Sequence, residues 1–159
     1  MKTISVSKLA DVMRRIYEYY DMSSSYSFYP YKPHMDIETV AHEIAHWIAF
    51  AGNARIPNQL DGVVGQRLGD LDDDEANKQE ALACAIELLG LCKLGMRVDL
   101  GRLADNASTM MQGEFEKNDY RRRARTRKMV RAALRTRRAR QGAVRFVAIV
   151  QRFQRKART

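Results

Sequence analysis

Helical periodicity is the feature that most constrains the fold of this 159-residue chain. Apolar residues recur at spacings of three and four, which places them on one face of an α-helix. The pattern predicts helices at about 8–20, 37–50, 72–94, 99–111, 119–140 and 143–156, the last two separated by a break near Gly142. Residues 52–72 are rich in Gly, Asn, Pro and Asp, which is typical of a long loop.

Residues 23–31 (SSSYSFYPY) depart from this helical pattern. The segment is rich in aromatic residues and serine and is stopped by Pro30 and Pro33, which favours a short strand or an extended stretch. The expected fold class is therefore α+β, predominantly helical, with a short sheet. Aromatic side chains of this segment could contact a ligand, although covering the core is the favoured interpretation.

The charge is divided unevenly along the chain. Residues 120–159 carry 16 Arg and Lys and no acid, whereas residues 1–119 carry 12 basic and 19 acidic residues. Such an asymmetry suggests two parts with different tasks. We expect a domain at 1–118 and a basic helical arm at 119–159.

A run of cations with no acid to pair them favours an anionic partner, and nucleic acid phosphates fit best. We expect contacts to the phosphate backbone with little sequence preference. Two alternatives stay open: docking of the arm on the acidic domain, and a helix lying on a membrane surface. The candidate nucleic-acid-binding residues are Arg121, Arg122, Arg123, Arg125, Arg127, Lys128, Arg131, Arg135, Arg137, Arg138 and Arg140.

Several classes of protein are disfavoured by composition. No apolar run approaches the roughly 20 residues of a membrane span, and the first residues lack the apolar stretch of a secretory signal. The two cysteines, Cys84 and Cys92, fall in one helical stretch and are expected to be reduced. Two cysteines and three histidines do not supply a zinc-finger pattern. A cytoplasmic location is expected.

The sequence His42-Glu43-Ile44-Ala45-His46 predicts a zinc site. Two histidines at i and i+4 project from one face of a helix, about one turn apart, so both can bind one Zn²⁺ ion. Zinc lowers the pKa of a bound water towards neutrality. Glu43 lies beside the pair and is the candidate general base that accepts the water's proton and returns a proton to the departing amine.

A third ligand is needed, and no histidine follows His46. Proteases that place a third histidine after this motif are therefore poor matches, and a carboxylate is expected. Glu75, Glu80 and Glu87 all lie on the helix predicted at 72–94. Glu80 is favoured because its neighbours are apolar, and the other two remain open.

These motifs resemble a known family. His42–Trp47 (HEIAHW), Gln79–Ala83 (QEALA) and Leu94–Met96 (LGM) resemble the zincin-like metallopeptidase domain of mobile-element proteins, including ArdC-type antirestriction proteins. Glu80-Ala81 and Leu88-Leu89 also resemble the ImmA/IrrE metallopeptidases. The resemblance covers about residues 36–96. It implies a gluzincin-like fold with a small sheet, for which 23–31 is the candidate strand, and zinc on His42, His46 and Glu80.

The expected function is that of a zinc metallopeptidase of phage or mobile-element type, acting on a protein or peptide. If the chain is phage-encoded, the expected location is the cytoplasm of the host cell. The alternative is a non-catalytic nucleic-acid-binding, virion-associated or host-inhibitor protein whose zinc site is structural or vestigial. The sequence leaves the oligomeric state open.

Overall fold

A computed structural model describes residues 3–20, 22, 33–52, 55–112 and 119–156, without the side chains of 33–36 and 61. Over these ranges the chain is all-helical and contains no strand, so the expected α+β class with a short sheet is wrong. The candidate strand 23–31 lies outside the described residues. The helices are α1 (Val6–Tyr19), α2 (Pro33–Ala51), α3 (Leu60–Gly69), α4 (Asp73–Lys93), α5 (Leu100–Ser108), α6 (Asp119–Leu134) and α7 (Arg137–Lys156).

The centre of the fold is α4, which packs against α2, α5, α6 and α7. Its apolar residues occupy all sides rather than one stripe, as expected for a helix surrounded by others. Because α2 and α4 lie side by side, any polar residue on their facing surfaces is removed from water.

Capping interactions that the sequence predicts determine where α4 begins and ends. Asp72 caps the start, since its Oδ1 accepts a hydrogen bond from the backbone N–H of Glu75 at 2.9 Å. At the other end Gly95 has φ of +89°, and the N–H of Met96 bonds to the carbonyl of Leu91 at 3.0 Å. This is a Schellman motif, which needs the left-handed conformation that glycine adopts most easily.

The loop expected at 52–72 contains a helix, α3. Leu60 and Val64 of this helix are buried in the main core, and their burial outweighs the low helix propensity of the turn-forming residues around them. Burial of apolar side chains commonly overrides weak helix propensity.

The break expected near Gly142 is also misplaced, because the chain turns at 135–136 and Gly142 lies inside α7. The lack of a side chain at Gly142 matters for helix packing instead. A Cβ atom at Gly142 would lie 2.7 Å from Cγ1 of Ile86, so glycine allows α7 to approach α4 closely.

The basic C-terminal segment shares the core of the rest of the chain. Phe146 and Val150 of α7 are completely buried, in the same hydrophobic cluster as Leu9 of α1 and Ile44 of α2. The helices α6 and α7 both pack on α4, so residues 119–156 do not form a projecting arm. Among the described helices, none is long and apolar enough to cross a lipid bilayer.

Candidate metal centre

The paired histidines lie where α2 faces α4. His46 is only 2% exposed, and the side chain of His42 is 24% exposed. Ile44 and Ala45, between them, are completely buried, which holds this part of α2 against its neighbours. The spacing of four residues therefore directs both imidazoles towards α4, as the sequence predicts.

Glu80 of α4 meets both imidazoles. Its Oε1 lies 2.9 Å from Nε2 of His42, and its Oε2 lies 2.9 Å from Nε2 of His46. The two Nε2 atoms are themselves 3.0 Å apart. The three side chains expected to bind zinc thus bring their donor atoms to one point, although they come from two helices and span 38 positions in sequence.

Glu87 contacts the other side of His42. Its Oε2 lies 3.0 Å from Nδ1 of His42, and its side chain is almost completely buried. An Nδ1–H that donates to Glu87 leaves the Nε2 lone pair directed at Glu80 and His46. Glu75, the remaining candidate for third ligand, is exposed at the start of α4 beside Lys78 and lies outside this cluster.

Cys84 adds a fourth potential donor. His42, Glu80 and Cys84 form a group whose ligand atoms all lie within 4.8 Å of one another, and such a group could hold a metal ion. Glu80, Cys84 and Glu87 fall at i, i+4 and i+7 on α4 and therefore share one face. That spacing is the signal from which the roles of Cys84 and Glu87 could have been found.

A cavity of about 280 Å³ opens beside this cluster. Glu43 lines it together with His42, Glu80, Cys84 and Glu87, and Leu103, Ala107 and Met110 supply an apolar wall from α5 and the turn after it.

Two contacts hold that wall in place. Arg102 of α5 donates to Glu38 of α2, with Nη1 3.0 Å from Oε2. Asn77 of α4 accepts from the backbone N–H of Gln112 at 2.9 Å and donates to its carbonyl at 3.2 Å. The apolar wall is therefore tied to α2 through Glu38 and to α4 through Asn77.

The ionisation of the cluster follows from its burial and its neighbours. Burial lowers the pKa of His42, but the carboxylates of Glu80 and Glu87 outweigh that effect and hold the pKa well above its ordinary value. Burial raises the pKa of Glu80, but His42 and His46 outweigh it, so the pKa lies below the usual range. Burial raises the pKa of Glu87, and the contact with His42 lowers this pKa by a smaller amount, so the pKa lies above its ordinary value.

The donor set suits a metal ion. The two Nε2 atoms lie 3.0 Å apart and both face Glu80, so a proton on each would bring two N–H groups against one another, whereas both lone pairs can bind one metal ion. Ligand atoms around a tetrahedral zinc ion lie about 3.3 Å apart, a few tenths of an ångström more than the separations here. Two imidazoles and a carboxylate are the donors of a His₂Glu site.

Several of the basic residues expected to bind nucleic acid contact other parts of the chain. Arg122 and Arg123 meet Asp119 at 2.6 and 2.7 Å, Arg127 meets Asp105 at 2.7 Å, and Arg138 donates to the carbonyl of Ala49 at 2.9 Å. Ala49 lies in the last turn of α2, where carbonyls lack helical partners, so Arg138 caps that helix. Most of the set remain exposed, namely Arg121, Arg123, Arg125, Lys128, Arg131, Arg135, Arg137, Arg138 and Arg140.

No family model, curated protein or solved structure is significantly similar to this chain.

Proposed function

We propose that this chain is a zinc-dependent metallopeptidase in which His42, His46 and Glu80 hold the zinc ion. The observation that carries the proposal is that the Nε2 atom of each histidine lies 2.9 Å from an oxygen of Glu80, beside a cavity that Glu43 lines. A kinship with the zincin-like domains of mobile elements is part of this proposal, and it rests on the motifs of α2 and α4.

Zinc would supply a Lewis acid that polarises the scissile carbonyl and makes a water molecule acidic enough to react near neutral pH. Glu43 would accept the proton of that water and pass it to the departing amine. Glu87 would hold the ring of His42 in place through Nδ1. The apolar wall formed by Leu103, Ala107 and Met110 would receive a substrate side chain.

The test of catalysis is Glu43→Gln in the zinc-loaded protein, with Glu75→Gln, an exposed acid of α4, as the matched control. We expect Glu43→Gln to keep its zinc and lose peptidase turnover by roughly 10²- to 10⁴-fold, because an amide cannot accept the proton. A screen of peptide libraries and unfolded casein would supply the substrate. Equal turnover by the wild type and Glu43→Gln would contradict the general-base role.

A structural metal site is the second candidate, and Cys84 is the observation that favours it. A fourth protein ligand would close the site to substrate. Against this, burial raises the pKa of Cys84 well above its ordinary value and the charges of Glu80 and Glu87 raise it further, so the metal-free protein holds a neutral thiol. Cobalt substitution distinguishes the two: an intense thiolate-to-cobalt absorption band that Cys84→Ala removes would indicate a closed site.

Nucleic acid binding by the exposed cations of α6 and the start of α7 is a third proposal, supported by their exposure. Replacing Lys128, Arg131 and Arg135 by Gln should weaken binding to random-sequence DNA and RNA and flatten its salt dependence. The matched control replaces Lys8, Lys78 and Lys93, which are also exposed but lie elsewhere. Equal affinity of the two triple variants would exclude this surface.

A further inference from the structure

A second cavity, of about 160 Å³, lies between the end of α1, the residues before α3, and α7. It shares no lining residue with the cavity of the metal centre. Three of its lining residues are arginines: Arg55 before α3, and Arg145 and Arg152 of α7. Arg145 and Arg152 are seven residues apart, two helical turns, and therefore share one face.

No acidic residue is among the described residues that line this cavity. Arg55 and Arg152 are exposed and Arg145 is half-buried, so three positive charges border one small space. Elsewhere among the described residues Arg127 is paired with Asp105, and Arg122 with Asp119. This cavity is a concentration of positive charge for which the described part of the chain offers no counter-charge.

Arg145 carries the most specific sign of a missing ligand. Its Nη1 atom is buried and has no hydrogen-bond partner among the described residues. Burial also lowers the pKa of this guanidinium, which reflects its removal from water. A buried charged donor without an acceptor is costly, so a group that accepts a hydrogen bond there would bind with a corresponding gain.

The remaining walls suit a polar ligand of small size. Tyr20 and Asn58 line the cavity and carry a hydroxyl and an amide. Tyr20 is 7% exposed, and its ring packs against Tyr19 and Phe153 with centroids 4.8 and 5.9 Å apart, which keeps this wall in place. At about 30 Å³ per water molecule, the cavity has room for about five, enough for the four oxygens of a phosphate group.

We propose that this cavity binds a phosphomonoester through Arg55, Arg145 and Arg152. A phosphomonoester dianion presents three terminal oxygens, and each can accept the paired N–H groups of a guanidinium. A carboxylate has only two oxygens and one charge, so it would balance one of the three cations, whereas the dianion balances two. The inference is independent of the metal centre, because the two cavities have no residue in common.

The test uses the full chain and inorganic phosphate, titrated by calorimetry with chloride replaced at constant ionic strength. Arg145→Gln and Arg152→Gln should each weaken phosphate binding at least tenfold. Arg155→Gln is the matched control, since Arg155 is an exposed arginine of α7 that does not line the cavity, and the affinity of this variant should equal that of the wild type. If Arg145→Gln does not fold, Arg152→Gln and Arg55→Gln keep the test decisive, because both residues are exposed.

The source of the phosphate is distinguished by a second titration. An oligonucleotide with a 5′-phosphate is compared with the same oligonucleotide ending in a 5′-hydroxyl. Tighter binding of the phosphorylated end, lost in Arg145→Gln, would assign the site to nucleic acid termini. Equal binding of both, with inorganic phosphate still bound, would assign it to a small phosphorylated molecule. No saturable phosphate binding by the wild type, or equal affinity in all variants, would overturn the proposal.

Discussion

At the scale of single residues, His42 is the side chain on which the centre depends. One of its nitrogens meets Glu80 and His46, and the other meets Glu87. The imidazole is thus fixed in position by carboxylates of a neighbouring helix. Fixing a ligand before the metal arrives reduces the ordering that binding would otherwise require.

Glu87 should therefore influence metal affinity without binding the metal. We expect Glu87→Ala to weaken zinc binding by roughly 10- to 100-fold, because His42 loses the acceptor that orients it, and Glu87→Gln to have a smaller effect because its amide oxygen still accepts. Glu75→Ala is the control. Competition with a chelator of known affinity measures the change. An unchanged affinity in Glu87→Ala would show that the contact does not orient the ligand.

The same contacts predict how the metal-free protein responds to pH. The pKa of His42 is raised above its ordinary value of 6.5, so its protonated form is favoured by folding. Its contribution to stability is fully present below about 6.5 and is lost as the pH rises through the raised pKa. Urea unfolding of chelator-treated protein should show stability falling over that window, and His42→Gln should flatten the fall. Parallel profiles for both proteins would contradict this origin.

At the scale of helices, α4 and α7 approach closely because glycines remove side chains from their contact. A Cβ atom at Gly90 of α4 would lie 2.8 Å from Cγ of Phe146, a ring that is completely buried and cannot move aside. Gly142 of α7 plays the reciprocal part against Ile86. The packing of the basic C-terminal helix on the helix that carries Glu80 thus depends on two small residues.

Gly90→Ala is therefore expected to destabilise the fold, by about 1–3 kcal/mol, because the added methyl overpacks the contact with Phe146. Gly65→Ala is the matched control, since Gly65 also lies within a helix but a Cβ there meets nothing within 4 Å. Alanine there should stabilise by about 0.5–1 kcal/mol through its higher helix propensity. Denaturant midpoints compare the two, and equal effects would refute the close approach of α4 and α7.

At the scale of the whole molecule, the strongly basic C-terminal segment combines an exposed charged surface with a buried apolar one. Phe146→Ala should cost about 3–5 kcal/mol, a large part of the stability of a typical domain, because it empties a site in the common core. Val144→Ala, on the exposed side of the same helix, should change stability by less than about 0.5 kcal/mol. A mild effect of Phe146→Ala would indicate that the segment folds apart from the rest.

The sequence predicts the elements best where one local signal dominates. The caps Asp72 and Gly95 bound α4 as expected, and the face of α2 that carries His42 and His46 follows from spacing alone. The sequence does not predict α3, because turn-forming residues surround Leu60 and its burial depends on tertiary contacts. It predicts a break near Gly142, where glycine instead allows two helices to pack closely. Both errors arise from tertiary contacts that a single sequence does not contain.

The candidate site, too, follows partly from local sequence signals and partly from tertiary contacts. Spacing indicates that Glu75, Glu80 and Glu87 share a helix, but only the pairing of α2 with α4 brings Glu80 between the histidines and Glu87 behind one of them. The charge asymmetry indicates a distinct C-terminal segment, yet charge does not reveal that α7 lies in the core. The third histidine of the chain, His34, has a side chain outside the described residues.

The zinc content of four purified proteins tests the central claim most directly. After reconstitution and removal of loosely bound metal, we expect about one zinc per chain in the wild type and in Glu75→Ala, whose substituted residue lies outside the cluster. His46→Ala and Glu80→Ala should hold far less, because each removes a donor from the point where the three side chains meet. Stoichiometric zinc in both of these variants, or none in the wild type, would contradict the proposed metal centre.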